Sequence, residues 1–285
     1  MTNIRIVTDS TADLPQEIVE QYQITVIPLT VMIEGKPYLD RIDISNDEYY
    51  AKLRTLDTLP TTSQPSPAVF AAAYEKLAKE GAEDILAIHL SSDLSGTVQG
   101  AALAAKMVED KVRVTVIDSR SATMGLGLVV YSAARAIAEG QSIAAVTAMV
   151  QSCVQNLDLL FLIDSLDNLQ KGGRIGKAGF LVGSLLNIKP ILRLKDGVIH
   201  AFEKVRGNKE NKALERLIDD FCEQIDMTKP VYCAAGYCDN KELAEYMVSR
   251  IKQRHSQVDI VFMQIGCVVA THIGMGAVGV AFYQR

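Results

Sequence analysis

The chain has 285 residues, is 48% hydrophobic and 22% charged, and carries a formal net charge of −5. That is the composition of an ordinary soluble globular protein with room for a ligand cavity beside its core. It lacks the basic footprint that a broad nucleic-acid surface needs.

The start, MTNIRIVTDS, passes directly into a strand-like run, IRIVTD, with no signal-peptide core. A turn and a helix opening near Leu14-Pro15 follow. TVIPLTVMIEG reads as one strand running to a turn at Gly35-Lys36-Pro37. Helical patterns cover Ser45–Thr55 and Ser66–Glu80, then come the strand DILAIHL, a helix from about Ser95 to Asp110 and the strand VRVTVID. Strands spaced by helices of this length imply βαβ units and a mainly parallel sheet. Two long helical patterns, Thr123–Glu139 and Ser142–Asn156, lead into a second half of different character. There DLLFLID and an apolar helical stretch, Ala178–Asn187, precede two alternating runs around Asp196-Gly197, a hairpin signal. A charged helix Asn208–Ile225, the strand VYCAAGY, the helix Lys241–His255, the strand DIVFMQIG and a terminal strand AVGVAFY complete the chain. The fold class expected is α/β. An N-terminal, mainly parallel domain (residues 1–155) packs on a C-terminal α/β domain with a mixed sheet (residues 156–285).

Polar clusters recur where strands end: Thr8 to Asp13, Ser91 to Thr97, and Asp118 to Ser121. In a parallel sheet such loops gather at the carboxyl edge, where ligands bind. The loop PTTSQPSP, residues 60–67, is a further case, carrying Thr61, Thr62, Ser63 and Ser66. Ser66 before Pro67 suits a helix N-cap, Ser95 suits the next helix and Asp13 the first. Thr61, Thr62 and Ser63 exceed what capping requires. Hydroxyls beside helix-start amides fit a small anion without a basic patch.

Other motifs fail. Gly274 to Gly279 fits G-x-G-x-x-G but opens a terminal strand with no βαβ unit to serve. "KGGRIGKAG" lacks the first glycine of a phosphate loop, and Ala178 stands where a magnesium ligand belongs; Lys171, Arg174 and Lys177 read as solvated or as electrostatic aids. No G-x-S-x-G elbow exists. Asp9 and Asp13 read as a metal or nucleophile pair or as turn residues, and His272 as a buried core histidine or a ligand contact. The five cysteines, Cys153, Cys222, Cys233, Cys238 and Cys267, form no C-x-x-C pair and read as reduced core residues. With four histidines in the chain, a structural zinc site is not expected. The apolar stretch Val268–Phe282 is interrupted by His272 and glycines and falls short of a membrane span, so the expected location is cytoplasmic.

Taken in order, "VTDSTADLP", "PTTSQPSP", "LSSDLSGT", "IDSRSATMGLG", "LQKGGRIGKAGFLVGSLLNIKPIL" and "VVATHIGMGAVGV" resemble the DegV family over almost the whole chain. Cys267 and Met275 stand where members often have prolines. The resemblance implies two α/β domains with one long-chain fatty acid buried between them and no chemistry performed by the protein itself. It implies that the carboxylate is presented to a separate ATP-dependent fatty acid kinase subunit, which makes acyl-phosphate for phospholipid metabolism. By motif position Thr62 and Ser95 would bond the carboxylate, with Thr61, Ser63, Gly96 and His272 as neighbours. No cofactor or metal is expected, and transient membrane contact is left open. Met124–Val130 and Phe180–Leu192 are candidate tail-lining segments, and Arg206 and Arg174 candidate kinase-docking residues. The competing readings are a hydrolase or phosphotransferase using Asp9 or Ser95 with His272, and a lipid sensor without a kinase.

Overall fold

A computed structural model describes residues 3–181, 188–206 and 210–285. In chain order the first half contains β1 (Ile4–Asp9), α1 (Gln16–Gln21), β2 (Thr25–Ile27), β3 (Thr30–Ile33), β4 (Lys36–Leu39) and α2 (Asn46–Leu53). It continues with β5 (Thr61–Ser63), α3 (Pro67–Lys79), β6 (Asp84–His89), α4 (Thr97–Met107), β7 (Arg113–Asp118), α5 (Thr123–Ala138) and α6 (Ile143–Asn156). The second half holds β8 (Asp158–Leu162), α7 (Asp167–Lys171), β9 (Ile188–Lys195), β10 (Val198–Arg206) and α8 (Glu210–Gln224). β11 (Val231–Tyr237), α9 (Lys241–Arg254), β12 (Asp259–Gln264), α10 (Cys267–Ile273) and β13 (Val278–Gln284) close the chain.

The described residues form three sheets. A parallel sheet runs β2-β1-β6-β7, and a mixed six-stranded sheet runs β10-β9-β8-β13-β11-β12 with its β11–β12 pair parallel. The parallel and mixed sheets match the expected α/β class. The third, a small antiparallel sheet β4-β3-β5, was not anticipated. It arises because TVIPLTVMIEG is two strands, not one. Pro28 lacks an N–H and interrupts the ladder, so β2 joins the parallel sheet while β3 turns away to pair with β4 and β5. Thr61–Ser63, expected as loop, is thereby an extended strand held beside Thr30–Met32.

Local signals account for most other boundaries. Ser45 and Glu48 form a reciprocal capping box on α2, and Ser142 caps α6 by accepting from Ala145 N. The β9–β10 hairpin turns at Asp196 and Gly197, with φ of 52° and 85°, the twist-compatible two-residue turn that this dipeptide favours. Of the stretch Ala178–Asn187, expected as α-helix, the described part belongs to a 3-10 segment, Gly176–Leu181, and residues 182–187 lie outside the described residues. The charged helix expected from Asn208 is seen from Glu210, its first residues lying outside the described ones. The run Gly274–Gly279 does not open the last strand as expected: Gly274 ends α10 with a φ of 83°, and β13 begins at Val278.

The largest apolar cluster is continuous between the halves. It joins Leu86 and Ile88 of β6, most of α5, Leu159 and Phe161 of β8, and Tyr283 of β13. α5 is therefore wedged between the parallel and mixed sheets, which explains why its sequence is apolar all round rather than striped. A second cluster lies under α8 and α9, and a third under α3 and α4.

Candidate functional site

Beside this shared core lies a cavity of about 340 Å³, walled by both halves of the chain. Its apolar walls include Leu29, Met124, Phe161, Leu194, Ile199 and Val268. Its polar groups include Thr11, Thr62 and Ser63 of β5 with Gln64 beside them, Ser95, Thr123 at the start of α5, Arg174, and His272 of the short helix α10.

Pairing of Val31 with Thr62 fixes the position of β5, and Thr62 Oγ1 lies 2.8 Å from His272 Nε2. The histidine is presented by α10, a seven-residue helix anchored at several points. Gly266 N donates to Asp13 Oδ1 at 2.9 Å, and Tyr50 OH donates to Ile265 O at 2.7 Å. Thr271 Oγ1 gives its proton to Cys267 O, so Tyr49 OH donates to Thr271 at 2.7 Å. On the other side His272 meets Gly172, where even a methyl group would lie 2.4 Å from Nδ1. Only glycine fits there. Burial, with the Arg174 charge nearby, holds the imidazole down at about 4 from its usual 6.5, so it is neutral at pH 7.

Arg174 faces inward. Its Nε donates to Leu94 O at 3.1 Å and its Nη1 to Gly172 O at 2.6 Å, tying the loop before α4 to the end of α7. Lys171 and Lys177 are exposed. Ser95 Oγ lies 2.9 Å from Thr97 Oγ1, and the N-cap of α4 is Gly96, not Ser95. A methyl on Gly96 would sit 2.3 Å from Gln64 Oε1, so that glycine lets Gln64 lie across the loop. Thr61 is exposed and Arg206 ends β10 exposed; neither lines the cavity. The structure thus brings Thr62, Ser63, Ser95, Arg174 and His272 to one cavity, with Gly96 directly behind Gln64.

Asp9 and Asp13 do not pair. Asp9 is fully buried and accepts from Thr11 N, Thr11 Oγ1, His89 Nδ1 and Leu90 N. It pins Thr11 and Leu90, both of which line the cavity. Asp13, expected to cap the first helix, does not; Pro15 occupies that position, and Asp13 serves Gly266 instead. Ser66 occupies the N-cap of α3 in extended geometry, but its side chain makes no capping bond. The expected tail-lining segments contribute in part: Met124 lines the cavity, whereas Leu126, Val129, Val130 and Leu192 fill the core; Phe180 is 69% exposed, and residues 182–187 of the second segment lie outside the described residues.

Several lining residues, among them Leu29, Phe161 and Leu194, had no local signal.

The sequence matches the family described as "Uncharacterised protein, DegV family" over residues 3–285. The chain belongs to the DegV family. It is 37% identical over 292 residues to a DegV domain-containing protein of Caldanaerobacter subterraneus, covering 100% of each chain. Among solved structures it superposes with a TM-score of 0.91 and 36% identity on a DegV protein of Thermus thermophilus described by its fatty acid binding, with 100% of both chains covered. Bacillus subtilis DegV, described as a fatty acid binding protein, gives a TM-score of 0.91 at 34% identity, again covering 100% of both. No described helix of the present DegV chain is long and apolar enough to cross a membrane.

Proposed function

We propose that this DegV protein binds one long-chain fatty acid in the cavity between its sheets and presents the carboxylate to a separate ATP-dependent kinase. The observation that carries the reading is the grouping of Thr62, Ser95, Arg174 and His272 on an otherwise apolar cavity, in a chain aligned end to end with fatty-acid-binding DegV structures. The division into residues 1–155 and 156–285 belongs to the same reading. Strands of the parallel sheet come from the first part and those of the mixed sheet from the second, with the ligand at their junction.

A buried carboxylate remains ionised only if donors replace its water. Neutral His272 Nε2–H can donate to Thr62 Oγ1, which frees the threonine proton for the ligand oxygen; Ser95 supplies a second hydroxyl. Ser63 lines the cavity beside them, Gly96 packs behind Gln64, and Thr61 opens β5 on the exposed side. These donors hold the headgroup without a formal bidentate clamp, which suits an oxygen that must later attack phosphorus. The tail supplies the affinity: ~14 buried methylenes at ~0.8 kcal/mol give ~11 kcal/mol gross, before ordering costs. Volume is adequate, since small-molecule sites run from roughly 300 to 1,000 Å³.

A hydrolase or phosphotransferase reading is less well served. Ser95 bonds Thr97 rather than His272, Asp9 is committed to four other donors, and an imidazole held at about 4 is a weak base at neutral pH. For kinase docking, exposed Arg206 is a better candidate than Arg174, whose donors turn inward.

The test is to denature protein purified from a bacterial host and analyse the released lipid by mass spectrometry. A fatty acid in about one-to-one ratio is expected. Absence of lipid, from protein that also takes up none when supplied, would overturn the reading. Incubation with a candidate kinase and ATP separates a carrier from a sensor by the appearance of acyl-phosphate. Reversing the charge at Arg206 is expected to slow that step and leave lipid binding intact; an unchanged rate removes Arg206 from the docking surface.

A further inference from the structure

Asp13 and Asp40 come from different elements, yet both approach the backbone at Gly266. A methyl group on that glycine would lie 2.6 Å from Asp13 Oδ1 and 3.5 Å from Asp40 Oδ2. The two carboxyl groups are 3% and 1% exposed. Asp13 Oδ1 accepts from Gly266 N; Asp13 Oδ2 and both Asp40 oxygens meet no donor in full hydrogen-bond geometry among the described residues, and the groups beside them, the Thr123 hydroxyl at Asp13 and Ser10 and Cys267 at Asp40, offset only part of the cost of burial.

Two ionised carboxylates buried side by side with so few well-placed donors would be severely destabilising. The groups packed round them give little relief. Among the described residues Arg41 is the cation acting on both, and it is exposed, with its Nη1 committed to Leu14 O. Ser10 and Cys267 face Asp40, Thr123 faces Asp13, and Tyr49, Tyr50 and Cys238 complete the surroundings. The thiols of Cys238 and Cys267 and the phenols of Tyr49 and Tyr50 are all pushed up by burial and stay neutral. Among the described residues no group of three or more His, Cys, Asp or Glu is arranged to hold a metal ion. A proton relieves the charge, and burial raises both carboxyl groups above the ordinary carboxylate range, Asp13 the more strongly.

We propose that Asp13 and Asp40 retain a proton between them at neutral pH and act together as positioning residues for α10. Asp13 holds the residue just before that helix, and α10 carries Val268, Val269, His272 and Ile273 into the cavity. A neutral acid lets the two groups coexist at the helix start, which keeps His272 against Thr62. The functional arm of this inference rests on the fatty-acid reading; the proton itself does not.

The sign of the pH effect follows. A carboxyl group raised in the folded state binds its proton to higher pH than in the unfolded chain. Stability therefore falls as pH rises from the ordinary value of 3.8 through the raised one.

Difference infrared spectra of the ligand-free wild type and the Asp13→Asn/Asp40→Asn double variant test the proton directly. A protonated-carboxyl band is expected in the wild type at pH 7, titrating above the ordinary carboxylate range and missing from the double variant. Identical spectra overturn the proposal. Palmitic acid binding tests the positioning: Asp13→Ala is expected to weaken it about tenfold, and Asp13→Asn to recover most of the loss, since Asn keeps the acceptor for Gly266 N and carries no charge. From pH 6 to 9 the wild type is expected to lose affinity relative to Asp13→Asn. Unchanged affinity in Asp13→Ala, or parallel pH profiles, removes the positioning role. Failure of the wild type itself to bind palmitic acid would instead count against the fatty-acid reading, and the infrared arm would still decide the proton.

Discussion

Thr62 and Ser66 stand four residues apart in one hydroxyl-rich segment and have opposite fates. Thr62, in a three-residue strand with no helix to cap, bonds a histidine from the far end of the chain. Ser66, at the N-cap of a thirteen-residue helix, makes no capping bond with its side chain. Ser45, in another loop, does what Ser66 does not, accepting from Glu48 N in a capping box. The same hydroxyl chemistry therefore serves a cavity, a helix end, or neither. Sequence position alone does not sort them. Pro67 explains part of the difference: it fixes φ at the first helical residue and has no N–H to satisfy, so α3 starts without help from Ser66.

The comparison can be strained most at the histidine that Thr62 meets. Because the folded ring is held at about 4 against 6.5, the unfolded chain binds a proton first, and stability is lost as pH falls from 6.5 toward 4. Full coupling is worth ~3 kcal/mol, so His272→Asn is expected to flatten the acid limb of urea-denaturation stability by up to that amount. An unaltered limb would mean that the ring is not held neutral.

Next in size is Thr62 itself. Thr62→Ala is expected to weaken fatty acid binding roughly ten- to a hundredfold, since hydrogen bonds to a charged group contribute ~1.5–3 kcal/mol. The melting temperature is expected to stay near that of the wild type, and Thr62→Ser to bind much better than Thr62→Ala. Early melting with normal affinity would move Thr62 into the company of Ser45. Ser95→Ala tests the second hydroxyl in the same titration, with a smaller loss expected because Thr97 Oγ1 already bonds it.

The smallest effects separate the two helix starts. Ser45→Ala is expected to cost about 1 kcal/mol of folding stability, and Ser66→Ala only a few tenths, both read from denaturant midpoints. Equal losses would show that Ser66 caps α3 in solution.

Much of the architecture was legible because it depends on local pattern. Alternating and continuous apolar runs marked most strands, and Asp196-Gly197 marked its hairpin through the positive φ that both residues adopt. The order of hydroxyl-rich loops carried the family resemblance, and with it the expectation that Thr62, Ser95 and His272 belong to one site. Pro28 was available to split TVIPLTVMIEG, yet nothing local told which sheet each fragment would join. β5 was missed because a three-residue strand has too short a pattern to read.

The sequence by itself determined the strand and helix periods, the turns that need special backbone angles, and the set of polar loops. Tertiary structure alone decided which of those polar groups share a cavity. It seated His272 against Thr62 across 210 positions and turned Arg174 inward onto Leu94 O and Gly172 O. It also made Asp9 a satisfied acceptor while leaving Asp13 beside Asp40. Asp9 and Asp13 are the same side chain in the same motif. What separates them is the number of donors that distant backbone and side chains bring to each, a quantity set by packing between the two halves of the chain.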